Sequence, residues 1–338
     1  MRKQEVILEY QNLIECPPQL SAGALYQNAC KNDEATINYW QDIWLANISA
    51  NKSKYLSFAD QSISQEYQKQ RYKPVIIAGS GPSLKHNAHE LKNRGEIALV
   101  SCLHNFHYFE DLELAPEYYV TLDAGPVTIE EVTEGGTGRT EEEYWEITKD
   151  RTLIAFIATD PRLLAKWKGK ILFFNSPLPD VGLIQKIDQI EMFNQCLSTG
   201  GNVLGACLYF AKSILGAGSI IFCGADFCFG YDHKFHAWDS KYDEKMGHTM
   251  PCTDIYGIKR KTWPSYYGFK SYFESVPLRV PGVYYNCSEG GCLGSYPEGN
   301  IAQFRYMDLK DCLRIYNLNT EISEQMADAK AQKKIIYS

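Results

Sequence analysis

Pro74-Val75-Ile76-Ile77-Ala78-Gly79-Ser80-Gly81-Pro82-Ser83-Leu84 is the stretch whose reading decides the fold. A short apolar run ending in Gly-Ser-Gly is what a buried central parallel strand looks like as it enters a turn. Pro82 and Ser83 suit the cap and first turn of a helix that follows. Such a strand-turn-helix unit leaves backbone N–H groups unpaired at the helix start, and two glycines let an anion approach them closely. Gly79, Ser80, Gly81, Pro82 and Ser83 are therefore candidate phosphate contacts, and the same residues would also make a plain strand-to-helix turn. No Gly-Lys-Ser/Thr follows, so this is not a Walker loop, and the third glycine of a dinucleotide fingerprint is missing.

Downstream of this unit, strand and helix signals alternate, the pattern of an α/β, Rossmann-like, doubly wound and mainly parallel sheet. An amphipathic stretch from Leu84 to Asn93 leads to strands at Ile97 to Leu103 and Tyr118 to Leu122, the second ending on Asp123. In such sheets ligands gather at the carboxyl ends of the strands, which makes Asn105 and Asp123 candidates; Asp123 would equally serve as a cap. Strands at Leu153 to Ala158 and Ile171 to Phe174 flank a short helix from Pro161 to Lys168. A second glycine turn, Ser198-Thr199-Gly200-Gly201, opens an apolar helix from Asn202 to Leu215. The buried strand Ser219 to Gly224 then runs into Ala225-Asp226-Phe227. Two such turns facing one crevice are a stronger indication of a ligand than either alone.

Regular periodicity fades over residues 228–262, where Tyr231, His233, His236, Trp238, Tyr242 and His248 are crowded together. A long irregular segment at a strand end reads as a lid-like insertion or binding loop. No His-x-x-x-His and no tight cysteine pair occurs in it, so no metal site is expected. The chain continues with an aromatic helix from Trp263 to Phe273, a strand at Val283 to Asn286, the turn Cys287-Ser288-Glu289-Gly290-Gly291, and a helix from Met307 to Tyr316. Upstream of Pro74, Ile37, Trp40, Ile43 and Trp44 recur at helical spacing. Three segments follow: a helical extension over 1–70 that caps the main domain or makes an oligomer contact, a nucleotide-binding domain over 71–318, and a helical tail over 319–338.

The composition is that of an ordinary globular chain: 45% of the 338 residues are hydrophobic and 22% charged. A formal charge of −7 argues against nucleic acid as the partner, since neutralising phosphates needs a basic face. Neither a secretory h-region nor an apolar run of transmembrane length is visible, and a cytoplasmic protein is expected. The eleven cysteines cannot all pair within one chain. Cys223 and Cys228, like Cys287 and Cys292, have four residues between them, the loose end of zinc spacing. They read as reduced core residues.

The run Val75 to Lys85 resembles the nucleotide-binding opening of the bacterial sialyltransferases of the Campylobacter lipooligosaccharide type. It also resembles the domain shared by Maf flagellin glycosyltransferases and archaeal hydroxymethylpterin pyrophosphokinases. Phe106-His107-Tyr108-Phe109-Glu110-Asp111, Ser198-Thr199-Gly200-Gly201, Gly224-Ala225-Asp226-Phe227 and Gly247-His248 keep the family order. Asn202, Asp123, His236 and the turn at Glu289 are closer to the Maf and pterin-kinase side. The resemblance implies a metal-independent glycosyltransferase that uses a CMP-activated nonulosonic sugar and a glycan or protein acceptor and needs no other cofactor. His248 would be the general base, and His236 the Maf-like alternative. The tyrosines that steady the leaving phosphate in sialyltransferases fall here on Cys228 and on Phe235 or His236, which leaves Tyr231 for that role. The alternative is a pyrophosphokinase with ATP and magnesium held by Asp123, Asp226 and Glu289. A non-catalytic nucleotide-binding module is the third reading.

Overall fold

The computed structural model describes residues 16–318 apart from 20, 56, 134, 135, 137, 178, 179 and 240–246. Among these residues eight parallel strands form one sheet: β1 (Pro74–Ala78), β2 (Ala98–Cys102), β3 (Tyr118–Thr121), β4 (Thr152–Phe156), β5 (Lys170–Phe174), β6 (Ser219–Cys223), β9 (Val283–Asn286) and β10 (Arg305–Tyr306). Their order across the sheet is β10-β9-β6-β1-β2-β3-β4-β5, with β7 (Met250–Thr253) and β8 (Lys259–Thr262) in a separate hairpin. The apolar run of β1 explains its central place. Alternate side chains point to opposite faces, so Val75 and Ile77 enter one core while Ile76 and Ala78 enter the other. Only a strand covered on both sides needs apolar residues at every position. The chain steps outward from β1 to β5, then returns to place β6 on the other side of β1. The switch point of the sheet therefore lies between the carboxyl ends of β1 and β6.

Among the described residues of the extension, one long helix, α1 (Ala22–Tyr55), is followed by two 3₁₀ turns, Ala59–Gln61 and Ile63–Glu66. Its Ile37, Trp44 and Ile48, spaced at 7 and 4 residues, pack into the core on the Val75 side of the sheet. Asn47 and Asn51, one helical turn apart, tie it to the strand ends. Asn47 Nδ2 donates to the Ala124 and Ala158 carbonyls, both at 3.0 Å, and Asn51 Nδ2 to those of Ile157 and Thr159, both at 2.9 Å. The first fifteen residues and the tail expected over 319–338 lie outside the described residues.

Two of the departures from the sequence-based expectations have a cause in named side chains. The helix expected from Leu84 to Asn93 is one α turn, Leu84–Asn87, followed by 3₁₀ geometry over Ala88–Asn93. Asn87 carries the break: its side chain donates to the Cys287 carbonyl and the Glu289 carboxylate, and its backbone leaves helical values at φ −127°. The segment expected to be irregular holds an antiparallel hairpin, β7 (Met250–Thr253) and β8 (Lys259–Thr262). Lys259-Arg260-Lys261-Thr262 is too charged to read as a strand. It forms one because Arg260 is buried against Asp254 at 2.9 Å and because Asp254 Oδ1 accepts the Tyr256 and Ile258 N–H groups of the turn. Two further helices matter below, α2 (Val203–Tyr209) and α3 (Pro264–Arg279).

Candidate active site

A cavity of about 560 Å³ opens at the carboxyl ends of the strands, within the ~300–1,000 Å³ usual for small-molecule sites. Its floor comes from the residues after β1, β2, β3 and β5: Ser80, His104, Leu122 to Ala124, and Ser176. Ser198 to Val203, the second glycine turn and the start of α2, form one side. Trp40 and Trp44 of α1 and Tyr266, Phe269 and Tyr272 of α3 supply aromatic walls, and His236 closes the rim.

The polar groups around this space are held in place. Ser198 Oγ and the Tyr272 hydroxyl are 2.7 Å apart. Thr199 Oγ1 accepts the Gly201 N–H at 3.2 Å, and Asn202 caps α2 by accepting the Gly205 N–H at 3.0 Å. Asp123 Oδ1 accepts the Gly125 N–H at 2.9 Å. His236 stacks on Trp238 with an interplanar angle of 28° and meets His104 edge-on at 4.5 Å, so two imidazoles share one rim of the cavity. The His236 segment is pinned to the first glycine turn by the Ala237 N–H, which donates to the Ser80 carbonyl at 3.2 Å. Burial pushes the Tyr266 hydroxyl up to about 12, so it remains a neutral donor.

The expected site residues divide into two groups. Ser80, Asp123, Ser198, Thr199, Gly200, Gly201 and His236 border the cavity. Gly79, Gly81, Pro82, Ser83, Asn105, Asp226, Glu289, Tyr231 and His248 do not. The phosphate expected at the first turn meets protein instead: the N–H groups of Gly79, Gly81 and Ser83 donate to Cys223 O, Gly224 O and Asp226 Oδ2 at 2.9, 2.9 and 2.7 Å. Asp226 is buried at this joint, and its burial, reinforced by the Cys228 thiol, pushes the carboxyl up to about 7 against the pull of Ser83. Asn105 lies beneath the same turn and donates to the Gly79 carbonyl at 2.9 Å. Glu289 accepts from Asn87 and from the Leu309 N–H at 2.9 Å, holding the 309–318 helix. Tyr231 lies under the Arg260 guanidinium, 3.2 Å from its ring centroid, and donates to Asp254. His248 is exposed, next to the undescribed residues 240–246.

Sequence reasoning missed His104, Glu131 and the aromatic walls as site residues. The available signals were the Trp40–Trp44 spacing and the density of tyrosine and phenylalanine in α3. Neither says which face points at a ligand.

The family model for 6-hydroxymethylpterin diphosphokinase MptE-like proteins matches residues 44–232. The chain belongs to that family. The matched residues supply the strand-end floor and the second glycine turn; His236 and α3 lie beyond them. The solved structure of the Maf glycosyltransferase from Magnetospirillum magneticum AMB-1 is similar in fold, with a TM-score of 0.51 and 16% sequence identity over 74% of this chain. The chain spans 38% of the length of that protein's chain. No curated protein matches it in sequence. Among the described residues no helix is long and apolar enough to cross a membrane.

Proposed function

We propose that the strand-end cavity binds a nucleotide-activated sugar, of the CMP-nonulosonic type, and transfers the sugar to a glycan or protein hydroxyl with His236 as general base. The observation that carries this reading is the convergence on one cavity of the Ser198–Gly201 turn and the His236–His104 pair. In this reading the turn and the Ser198 and Thr199 hydroxyls donate to the leaving phosphate. The aromatic walls offer surfaces for the base or the sugar ring. In the transfer the acceptor oxygen bonds to the sugar carbon, the bond to the nucleotide phosphate breaks, and the acceptor proton passes to the imidazole. The choice of CMP rests on the resemblance to the sialyltransferases carried by Val75 to Lys85, Phe106 to Asp111, Ser198 to Gly201, Gly224 to Phe227 and Gly247-His248. His248, the first candidate for the base, yields to His236 because His236 borders the cavity and His248 does not.

Membership in a diphosphokinase-like family favours a second reading, phosphoryl transfer from ATP with magnesium. Of the three carboxylates suggested for the ion, only Asp123 faces the cavity, joined there by Glu131, while Asp226 and Glu289 are engaged with the backbone elsewhere. That set fits magnesium poorly, and we derive no step through the ion.

The test combines thermal shifts with CMP, CDP and ATP, in magnesium and in EDTA, with turnover of His236→Ala and His248→Ala. Stabilisation by CMP without metal, with turnover lowered about 10²–10⁴-fold in His236→Ala alone, is the expected result. Stabilisation by ATP only in the presence of magnesium would move the assignment to the diphosphokinase.

A further inference from the structure

Away from the cavity, Cys228, Cys252 and Cys292 bring their sulfurs together, all within 4.8 Å of one another. Each thiol is fully or almost fully buried. The three residues come from separate segments, the loop after β6, strand β7 and the loop after β9, and none is close to another in sequence. Those segments are laced together independently of the sulfurs. The Cys292 N–H donates to the Asp226 carbonyl at 2.8 Å, Thr262 Oγ1 to the Phe227 carbonyl at 2.6 Å, and the Ile255 N–H to the Gly291 carbonyl at 3.0 Å. The arrangement is therefore built before any ligand arrives.

We infer that Cys228, Cys252 and Cys292 form a binding site for a thiophilic d¹⁰ cation, zinc being the natural probe. Three sulfurs on a tetrahedral zinc, each about 2.3 Å from the ion, stand about 3.8 Å apart, a separation that falls within the 4.8 Å bound on these sulfurs. Thiolate is also the donor that selects soft ions over magnesium or calcium. The strand and helix that follow Cys252 are fixed by two buried ion pairs, Arg260 with Asp254 at 2.9 Å and Lys270 with Glu274 at 2.8 Å. Among the described residues no further His, Cys, Asp or Glu lies with the trio. Bound there, the ion would clip the β7–β8 hairpin to the sheet directly ahead of α3, the helix that walls the cavity.

The experiment starts with the full chain purified under reducing conditions without chelator. Native mass spectrometry and elemental analysis are expected to find about one zinc per chain. Cobalt titration of the stripped, reduced protein is expected to produce intense thiolate-to-cobalt charge-transfer absorption. Cys252→Ser should lose both signals, and Cys287→Ser, outside the trio, should keep them. The wild-type cobalt spectrum decides the matter even if Cys252→Ser does not fold. A metal-free chain that gives no cobalt charge-transfer band overturns the site, as does a disulfide between two of the three cysteines, seen as a mass lower by two hydrogens.

Discussion

At Gly79-Ser80-Gly81 the space above the backbone is occupied by protein. A Cβ on Gly81 would lie 2.7 Å from the Gly224 carbonyl oxygen and run into the Asp226 carboxylate, and a Cβ on Gly79 would strike the same carbonyl. At Gly200-Gly201 the close neighbours are side chains, the Tyr272 and Phe269 rings of α3, and both glycines border the cavity. The second turn also has positive φ at both positions, +58° and +80°. Glycine is required in both turns because something approaches the backbone closely. In the first, β1 and β6 are fused at the switch point; in the second, a helix wall meets an open site.

The largest effect that would break this comparison is expected from Gly81→Val. Backbone and a buried carboxylate cannot retreat, so the variant should lose about 3 kcal/mol or more in urea denaturation, at the upper end of overpacking costs. Wild-type stability would mean that the turn is not filled. Next comes the partner of that turn. Asp226→Ala leaves the Ser83 N–H buried without an acceptor and should cost about 1–3 kcal/mol, whereas Asp226→Asn keeps an acceptor oxygen and should cost less. Equal losses would show that the hydrogen bond at 2.7 Å does not hold the joint.

Gly200→Ala tests the other turn. A side chain at φ +58° costs about 1–2 kcal/mol, and the Tyr272 ring must move. Calorimetry should show nucleotide binding weakened far more than that stability loss implies. If stability falls and affinity does not, the turn belongs to packing alone. The smallest expected effect is that of Tyr272→Phe, which removes the 2.7 Å contact with Ser198 and should cost about 1 kcal/mol in folding, with a modest loss of affinity.

The strands were legible because a parallel strand buried on both faces must be apolar at consecutive positions. Val75 to Ala78, Leu153 to Phe156 and Ile220 to Cys223 announce themselves in that way. β8 was not legible, since Arg260 is tolerated in a buried strand only through Asp254, six residues earlier in the chain, and local composition cannot state that pairing. The cysteines make the same point. Spacing suggests Cys223 with Cys228 and Cys287 with Cys292, while the fold gathers Cys228, Cys252 and Cys292.

In the candidate site, the second glycine turn, Asp123 and His236 could be placed from sequence at strand ends, where α/β sheets hold ligands. That Asp226 would turn inward to Ser83, and that α1 would present Trp40 and Trp44 to the cavity, could not. By itself, then, the sequence determined the elements that local chemistry dictates: apolar runs that must be covered, glycines where the backbone must turn or be approached, and the family to which residues 44–232 belong. Only the tertiary structure decided what approaches each glycine and which histidine borders the cavity. Those facts are distances between residues remote in the chain, set by how helices and strands pack, and no local pattern encodes them.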